Sequence, residues 1–313
     1  MAEYQIRELA HLTGIKAPTI RVWEQRYGLL QPKRTQTNIR YYDDDDLCAL
    51  LNVALLTDNG CRISRIALMS PTQRAQEVET IACRPHPGES VVLQQLIQAT
   101  INLDELTFAR NLQSAIDADG LENTMLRIVY PFLERIGILW HTGTINPAQE
   151  HLITNLIRQK TIAALDRLGL QPPNGYPASS RRFVLYLPET ELHELALLLM
   201  HYVLRLRGHR VVYLGQNLPT RDLKEVCDKV RPDYLLTVLT VVPERDKVAA
   251  YLAAVAAQYA PVGLLLYGLQ VQHPELVLPP TARAFGQMHQ FIGWVDQLGQ
   301  GEVPAVDRLS KGV

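Results

Sequence analysis

From residue 181 onward the chain changes its hydrophobic period, and this change restricts the possible folds more than any other feature. Short apolar runs at 183–187, 211–214, 234–240, 262–267 and 282–285 alternate with stretches of helical spacing near 191–207, 220–230, 244–258 and 288–298. Each run is too short for a stable helix and is bounded by Gly, Pro or polar residues. Strand and helix in regular alternation predict a doubly wound α/β domain: a parallel sheet of five strands with helices on both faces. Ligands of such sheets sit beyond the carboxyl ends of the strands. Chemistry-bearing residues just after a predicted strand therefore matter most.

Upstream, residues 90–170 keep a helical period throughout. Apolar residues recur at Val92, Leu93, Leu96 and Ile97, then within 103–109, 126–138 and 152–168, which predicts a four-helix bundle. Asn146-Pro147 with Gln149 marks the last helix start, combining a cap, a first-turn proline and an amide at the third position. Gln171-Pro172-Pro173-Asn174-Gly175 opens the boundary to the sheet domain. Ser70-Pro71 and Cys83-Arg84-Pro85-His86-Pro87-Gly88 supply breakers, so 70–90 reads as a connection. The expected divisions are 1–75, a linker at 76–89, a bundle at 90–172 and the α/β domain at 181–313.

The first 70 residues read as short helices interrupted by two strands. Ile6, Leu9 and Leu12 form one amphipathic stripe ended by Gly14, and Pro18 sits in the first turn of a second helix carrying Ile20, Trp23 and Tyr27 on one face. A hairpin over 29–42 follows, then a third helix capped by Asp43 or Asp44 and a fourth over 63–69. The chain carries a formal net charge of −1, but residues 4–42 hold seven basic residues against two acidic ones. A local basic face is what phosphate contact requires; a basic whole chain is not.

Ala10, Gly14 and Ile20 have the spacing of a helix-turn-helix, in which a small residue, a turn glycine and a wedge-filling apolar residue set the packing. The segments Thr19-Ile20-Arg21-Val22-Trp23-Glu24-Gln25-Arg26-Tyr27-Gly28 and Asn38-Ile39-Arg40-Tyr41-Tyr42 closely resemble the winged helix-turn-helix of the MerR family. The resemblance implies that helix 18–27 enters the major groove of operator DNA. Thr19, Arg21 and Arg26 would lie on that helix, with Arg34, Arg40 and Tyr41 on the wing against phosphates. Gly60 and Pro71 interrupt the region where such proteins carry a long dimerisation helix, so self-association, as a dimer or tetramer, is expected from the later domains.

Nine residues separate Trp140 from the pair Glu150-His151, and Glu191-Leu192-His193-Glu194-Leu195-Ala196 follows the first predicted strand. With these residues the downstream part resembles the bundle-plus-Rossmann module that binds cobalamin, and the combination resembles the light-sensing cobalamin repressors of the MerR family. The resemblance implies His193 as the lower axial ligand of cobalt, with Glu191 fixing its tautomer. Trp140 would cover the adenosyl group, and Glu150-His151 would lie beside it, His151 taking the upper position after photolysis. Thr237 and Gly268 would border the nucleotide tail. The family pattern has glycine where this chain has Ala196, serine at Thr237, and a second glycine where Leu269 follows Gly268. Adenosylcobalamin and a cofactor-free oligomerisation or protein-interaction module both remain open.

Other classes find little support. Cys48, Cys61, Cys83 and Cys227 form no CxxC pair and fit a reducing cytoplasm. No apolar stretch reaches membrane-spanning length, and the opening residues lack the pattern of a signal peptide. Gly208 and Gly215 build no GxGxxG, and no nucleophile stands in a catalytic context. A corrinoid enzyme or methyl carrier is disfavoured by the DNA-binding head, so a regulator rather than an enzyme is expected.

Overall fold

Capping boxes at Gln5, Asp43 and Ser70 start helices of the first half. In the computed structural model, which describes residues 4–34, 40–82, 91–143, 145–169 and 171–299, helices α1 (Ile6–Thr13) and α2 (Ala17–Tyr27) meet at a turn where Gly14 takes φ 71°. Strands β1 (Lys33–Arg34) and β2 (Arg40–Tyr41) pair antiparallel; the tip of the expected hairpin lies outside the described residues. Asp43 caps α3 (Asp44–Asp58) by accepting from the Asp46 amide at 3.1 Å. Leu9, Ile20, Leu30, Tyr42 and Leu50 form the core of this head. Trp23 joins it to a second cluster built on Leu29, Val53, Leu56 and Ile66.

Helix α4 (Ile63–Leu68) stands as expected. The stretch beginning at Ser70, expected as linker, is instead helical: α5 spans Pro71–Ala82. Ser70 and Gln73 form a reciprocal capping box, with bonds of 3.2 and 2.9 Å. Proline at the first helical position starts a helix rather than breaking it. Val78 and Ile81 then bury against Val53 and Ile66. The rest of the expected linker, 83–89, lies outside the described residues.

The four expected bundle helices are α6 (Val91–Ile101), α7 (Glu105–Thr124), α8 (Tyr130–His141) and α9 (Pro147–Arg167). Helix α7 bends at Gly120, where φ is 76°, and a π turn over Met125–Val129 leads into α8. Asn146 caps α9, its Oδ1 accepting from the amides of Ala148 and Gln149 while Gln149 Oε1 accepts from the Asn146 amide. The described residues divide into two compact units. One lies within Met1–Ala118 and Arg127–Ile153, the other within Asp119–Leu126 and Thr154–Val313. Among the described residues no helix is long and apolar enough to cross a membrane.

The second unit holds the predicted sheet: β3 (Arg182–Pro188), α10 (Leu195–Leu206), β4 (Arg210–Leu218), α11 (Leu223–Val230), β5 (Tyr234–Val238), α12 (Val248–Tyr259), β6 (Gly263–Tyr267), β7 (Ala282–Phe285) and α13 (Met288–Gly299). All strand pairs are parallel, in the order β4-β3-β5-β6-β7. Residues 183–188 of β3 are all buried, as expected for a strand covered on both faces. Val184, Tyr186, Leu235, Leu264 and Leu266 pack with Leu223, Leu252 and Val255. Phe183 stacks on Tyr234 with ring centroids 5.2 Å apart, and Trp294 and Phe291 extend that aromatic group toward Phe285. The winding reverses between β3 and β5, so the loops following these two strands flank the switch point of the fold.

Candidate functional site

The basic head presents its cations on α2 and the hairpin. Arg21 and Arg26 are exposed on α2, and Thr19 is half-buried beside them. Arg26 lies over the Tyr27 ring, 5.5 Å from its centroid, and among the described residues Arg21 forms no ion pair. Arg34 and Arg40 face each other across the hairpin, and Tyr41 stands opposite Lys33. Glu24 organises the junction: its carboxylate lies 3.5 Å from Arg40 Nε and accepts from the Tyr42 hydroxyl at 2.9 Å. Burial and the Glu24 bond push the Tyr42 hydroxyl up to about 12, so it stays protonated as a donor. Lys33 pairs with Asp43, tying the wing to the cap of α3. Trp23 and Tyr27 pack inward, as their spacing implies.

The second constellation gathers at the carboxyl edge of the sheet. Glu191, in the loop after β3, is 1% exposed. Its Oε1 accepts from the amides of Leu192 at 3.0 Å and His193 at 3.1 Å, and contacts His193 Nδ1 at 2.5 Å. Its Oε2 accepts from the amides of Thr240, Val241 and Val242 at 3.0, 2.9 and 3.2 Å. One carboxylate thus joins the loops after β3 and β5 across the switch point. Burial alone would raise its pKa, but the His193 bond and the surrounding amides outweigh this and hold it well below the ordinary range.

His193 lies in the loop, ahead of α10, with its side chain 60% exposed. With Nδ1 engaged by Glu191, a metal is reached through Nε2. Among the described residues no group of three or more His, Cys, Asp or Glu side chains could hold a bare metal ion. A metal carried in a macrocycle needs only one axial imidazole from the protein, and this donor set suits it. Thr237 on β5 is fully buried, and its hydroxyl has no hydrogen-bond partner. An unsatisfied buried hydroxyl is costly and suits a ligand that offers a polar atom. Gly268 takes φ 112°, and a Cβ there would meet the Leu239 carbonyl oxygen at 2.4 Å. Leu269 is 70% exposed. It stands on the surface and does not fill a packed channel.

Sequence reading missed the supports of this edge. Glu194 is buried, ion-pairs with Arg158 and accepts from the Tyr213 hydroxyl at 3.0 Å, anchoring the residue next to His193. Asn217 takes φ 55° and caps the loop by accepting from the Thr190 amide at 2.8 Å. Asn217 at a left-handed position is a turn signal visible in principle; the amide donors from 240–242 are not.

Trp140, Glu150 and His151 belong to the first unit. Trp140 ends α8 with 39% of its surface exposed, more open than a core tryptophan. Glu150 and His151 lie in the first turns of α9, with His151 Nδ1 2.9 Å from the Glu150 carboxylate and 73% exposed. A carboxylate–imidazole pair therefore occurs in each unit.

Residues 4–72 match the family described as MerR HTH family regulatory protein, and residues 92–164 the family described as B12 binding domain. The chain is 32% identical over 244 residues to the HTH-type transcriptional repressor CarH of Myxococcus xanthus, covering 75% of this chain and 79% of that protein. It is 28% identical over 268 residues to the HTH-type transcriptional repressor CarA of the same organism, covering 85% and 86%. Among solved structures, the monomethylamine corrinoid protein of Methanosarcina barkeri aligns with a TM-score of 0.50 at 12% identity, covering 64% of this chain and 95% of that one. That last likeness concerns the fold alone.

Proposed function

Because the chain belongs to the family of MerR-type transcriptional regulators with a B12 binding domain, alongside CarH and CarA, we propose that it is a repressor whose grip on operator DNA depends on adenosylcobalamin and on light. It is a DNA-binding regulator and not an enzyme. In this reading Thr19, Arg21 and Arg26 meet the major groove, and Arg34, Arg40 and Tyr41 meet phosphates of the flanking backbone.

The observation that carries the cofactor reading is the Glu191–His193 pair. A buried carboxylate fixes the histidine tautomer at 2.5 Å, at the sheet edge where such folds bind ligands. His193 Nε2 would hold the cobalt. The buried Thr237 hydroxyl and the bare backbone at Gly268 would border the nucleotide tail. In the first unit, Trp140 would offer an indole to shield the adenosyl group, and His151, paired with Glu150, would offer a second imidazole to cobalt. Bound adenosylcobalamin would supply a cobalt–carbon bond that light breaks. The protein would assemble as a dimer or tetramer on paired operator sites in the dark. Mixing the protein with adenosylcobalamin in the dark, desalting and recording the visible spectrum tests this. Retained cofactor is expected, with His193→Ala losing it or shifting its bands. A cofactor-free wild-type eluate rejects the reading.

A second reading rests on Leu269, whose side chain projects 70% exposed beside Gly268. There the module keeps its fold without the cofactor and serves self-association. The same spectrum separates the two.

A further inference from the structure

The polypeptide corner between α8 and α9 carries Trp140 on one side and Glu150–His151 on the other, and it is seated on α3 of the DNA-binding head. Asn52 of α3 is buried at 6% exposure, and its Nδ2 donates to the Thr142 carbonyl at 2.9 Å. Thr142 is itself 3% exposed. One turn earlier on α3, Cys48 Sγ lies 2.8 Å from where a Cβ on Gly143 would stand, and Gly143 takes φ 70°. The Gly143 amide donates to the Trp140 carbonyl at 2.9 Å, so a displacement of Trp140 acts directly on the residue that touches Cys48. On the other arm the Glu150 amide donates to the Asn146 carbonyl at 3.2 Å, and Gln149 Nε2 holds the Ile101 carbonyl at 3.0 Å.

Asn52 is an unexpected residue for a helix interface chosen only for stability. Its Oδ1 is buried without a partner, whereas an apolar side chain would leave no polar atom unsatisfied. A directional bond at such a contact fixes one docking of α3 on the corner. Leu50, between Cys48 and Asn52 on α3, packs in the same core as Ile20 of α2. The chain of contacts runs from Trp140 through Gly143 and Thr142 to Cys48 and Asn52, then through Leu50 to the recognition helix. Every member belongs to one compact unit.

We infer that the α8–α9 corner is the coupling element of this regulator: Asn52 and Cys48 pass changes at Trp140 and His151 to the position of α2 on DNA. Asn52 is thus a positioning residue that contacts neither DNA nor effector. The effector named here rests on the function proposed above; the mechanical link does not.

The test uses the full chain and a labelled duplex selected by the wild-type protein from a random pool. Without any cofactor, Gly143→Ala places a methyl group on Cys48 Sγ. Its DNA affinity is expected to change by at least about five-fold, the lower end of ordinary coupling. Cys48→Ala in the same chain removes the collision, though not the strain of alanine at φ 70°, and should bring the affinity back toward that of the Cys48→Ala single variant. An unchanged Gly143→Ala affinity, or a double variant that behaves as Gly143→Ala alone, overturns the inference. Should Gly143→Ala fail to fold by circular dichroism, Asn52→Leu decides. Faster amide exchange in α2, at least about five-fold, supports the link, and exchange as in wild type refutes it. In the effector arm, Asn52→Leu should retain adenosylcobalamin with an unaltered spectrum while its DNA affinity responds at least about five-fold less to the cofactor. A wild-type protein that retains no cofactor rejects the proposed effector, and the Gly143 and Cys48 variants still decide the coupling.

Discussion

A single carboxylate can organise a site more firmly than many exposed ion pairs, and Glu191 does so here. It collects five backbone amides and one imidazole from two loops. Because its folded pKa is depressed, its stabilising contribution is fully present above about pH 4.5, its ordinary value. The contribution declines as pH falls from there toward the folded value, since the unfolded chain takes up the proton first. Glu191→Gln should cost about 3 kcal/mol at neutral pH, in line with leaving a buried charged network unpaired. The gap between the two proteins should narrow in acid. Urea unfolding at several pH values measures both, and a pH-independent gap would sink the assignment. On the DNA side, Arg21 is an exposed cation on α2. Arg21→Ala should weaken binding to a selected duplex by roughly 1–3 kcal/mol if it reads a base edge. An equal loss on every sequence, with a shallower salt dependence, would mark a phosphate contact instead.

At the scale of elements, caps and periodicities were readable because their causes are local. Asp43, Asn146 and the strand–helix alternation act within a few residues, and the parallel sheet follows from them. Ser70-Pro71 misled because proline has opposite meanings inside a helix and at its first position; Gln73, three residues after the serine, was the discriminating signal. Ser70→Ala should therefore lower stability by about 1 kcal/mol and speed amide exchange in the first turn of α5. Unaltered exchange there would show that burial of Val78 and Ile81 holds the helix without its cap. Contacts distant in sequence were not readable. Nothing local announces that Glu191 draws amides from 240–242, or that Asn52 meets a carbonyl ninety residues away. Such pairings come from topology, which brings loop ends together at the switch point of the sheet and helix ends together at the corner beside α3.

For the whole molecule, Leu269 decides between a sensor and a cofactor-free scaffold. The resemblance to cobalamin-binding modules implies a second glycine after Gly268, leaving bare backbone for the nucleotide tail. Here a leucine stands at the second position, and its side chain is 70% exposed. It therefore strains nothing in the protein alone, and Leu269→Gly should change stability by no more than about 1 kcal/mol, the backbone entropy of an added glycine. Its effect should fall on the ligand. Restricting or displacing an exposed leucine side chain costs about 0.5–1 kcal/mol of rotamer freedom, so the glycine variant should bind adenosylcobalamin about two- to five-fold more tightly. Dark calorimetric titration of both proteins measures this, and sedimentation in the dark and after illumination shows whether binding drives assembly. A wild type that binds as tightly as the variant removes Leu269 from the argument and leaves the sensor reading intact. If neither protein binds and both sediment as the same oligomer in darkness and light, the downstream module is an assembly platform, and operator affinity is set by oligomerisation alone.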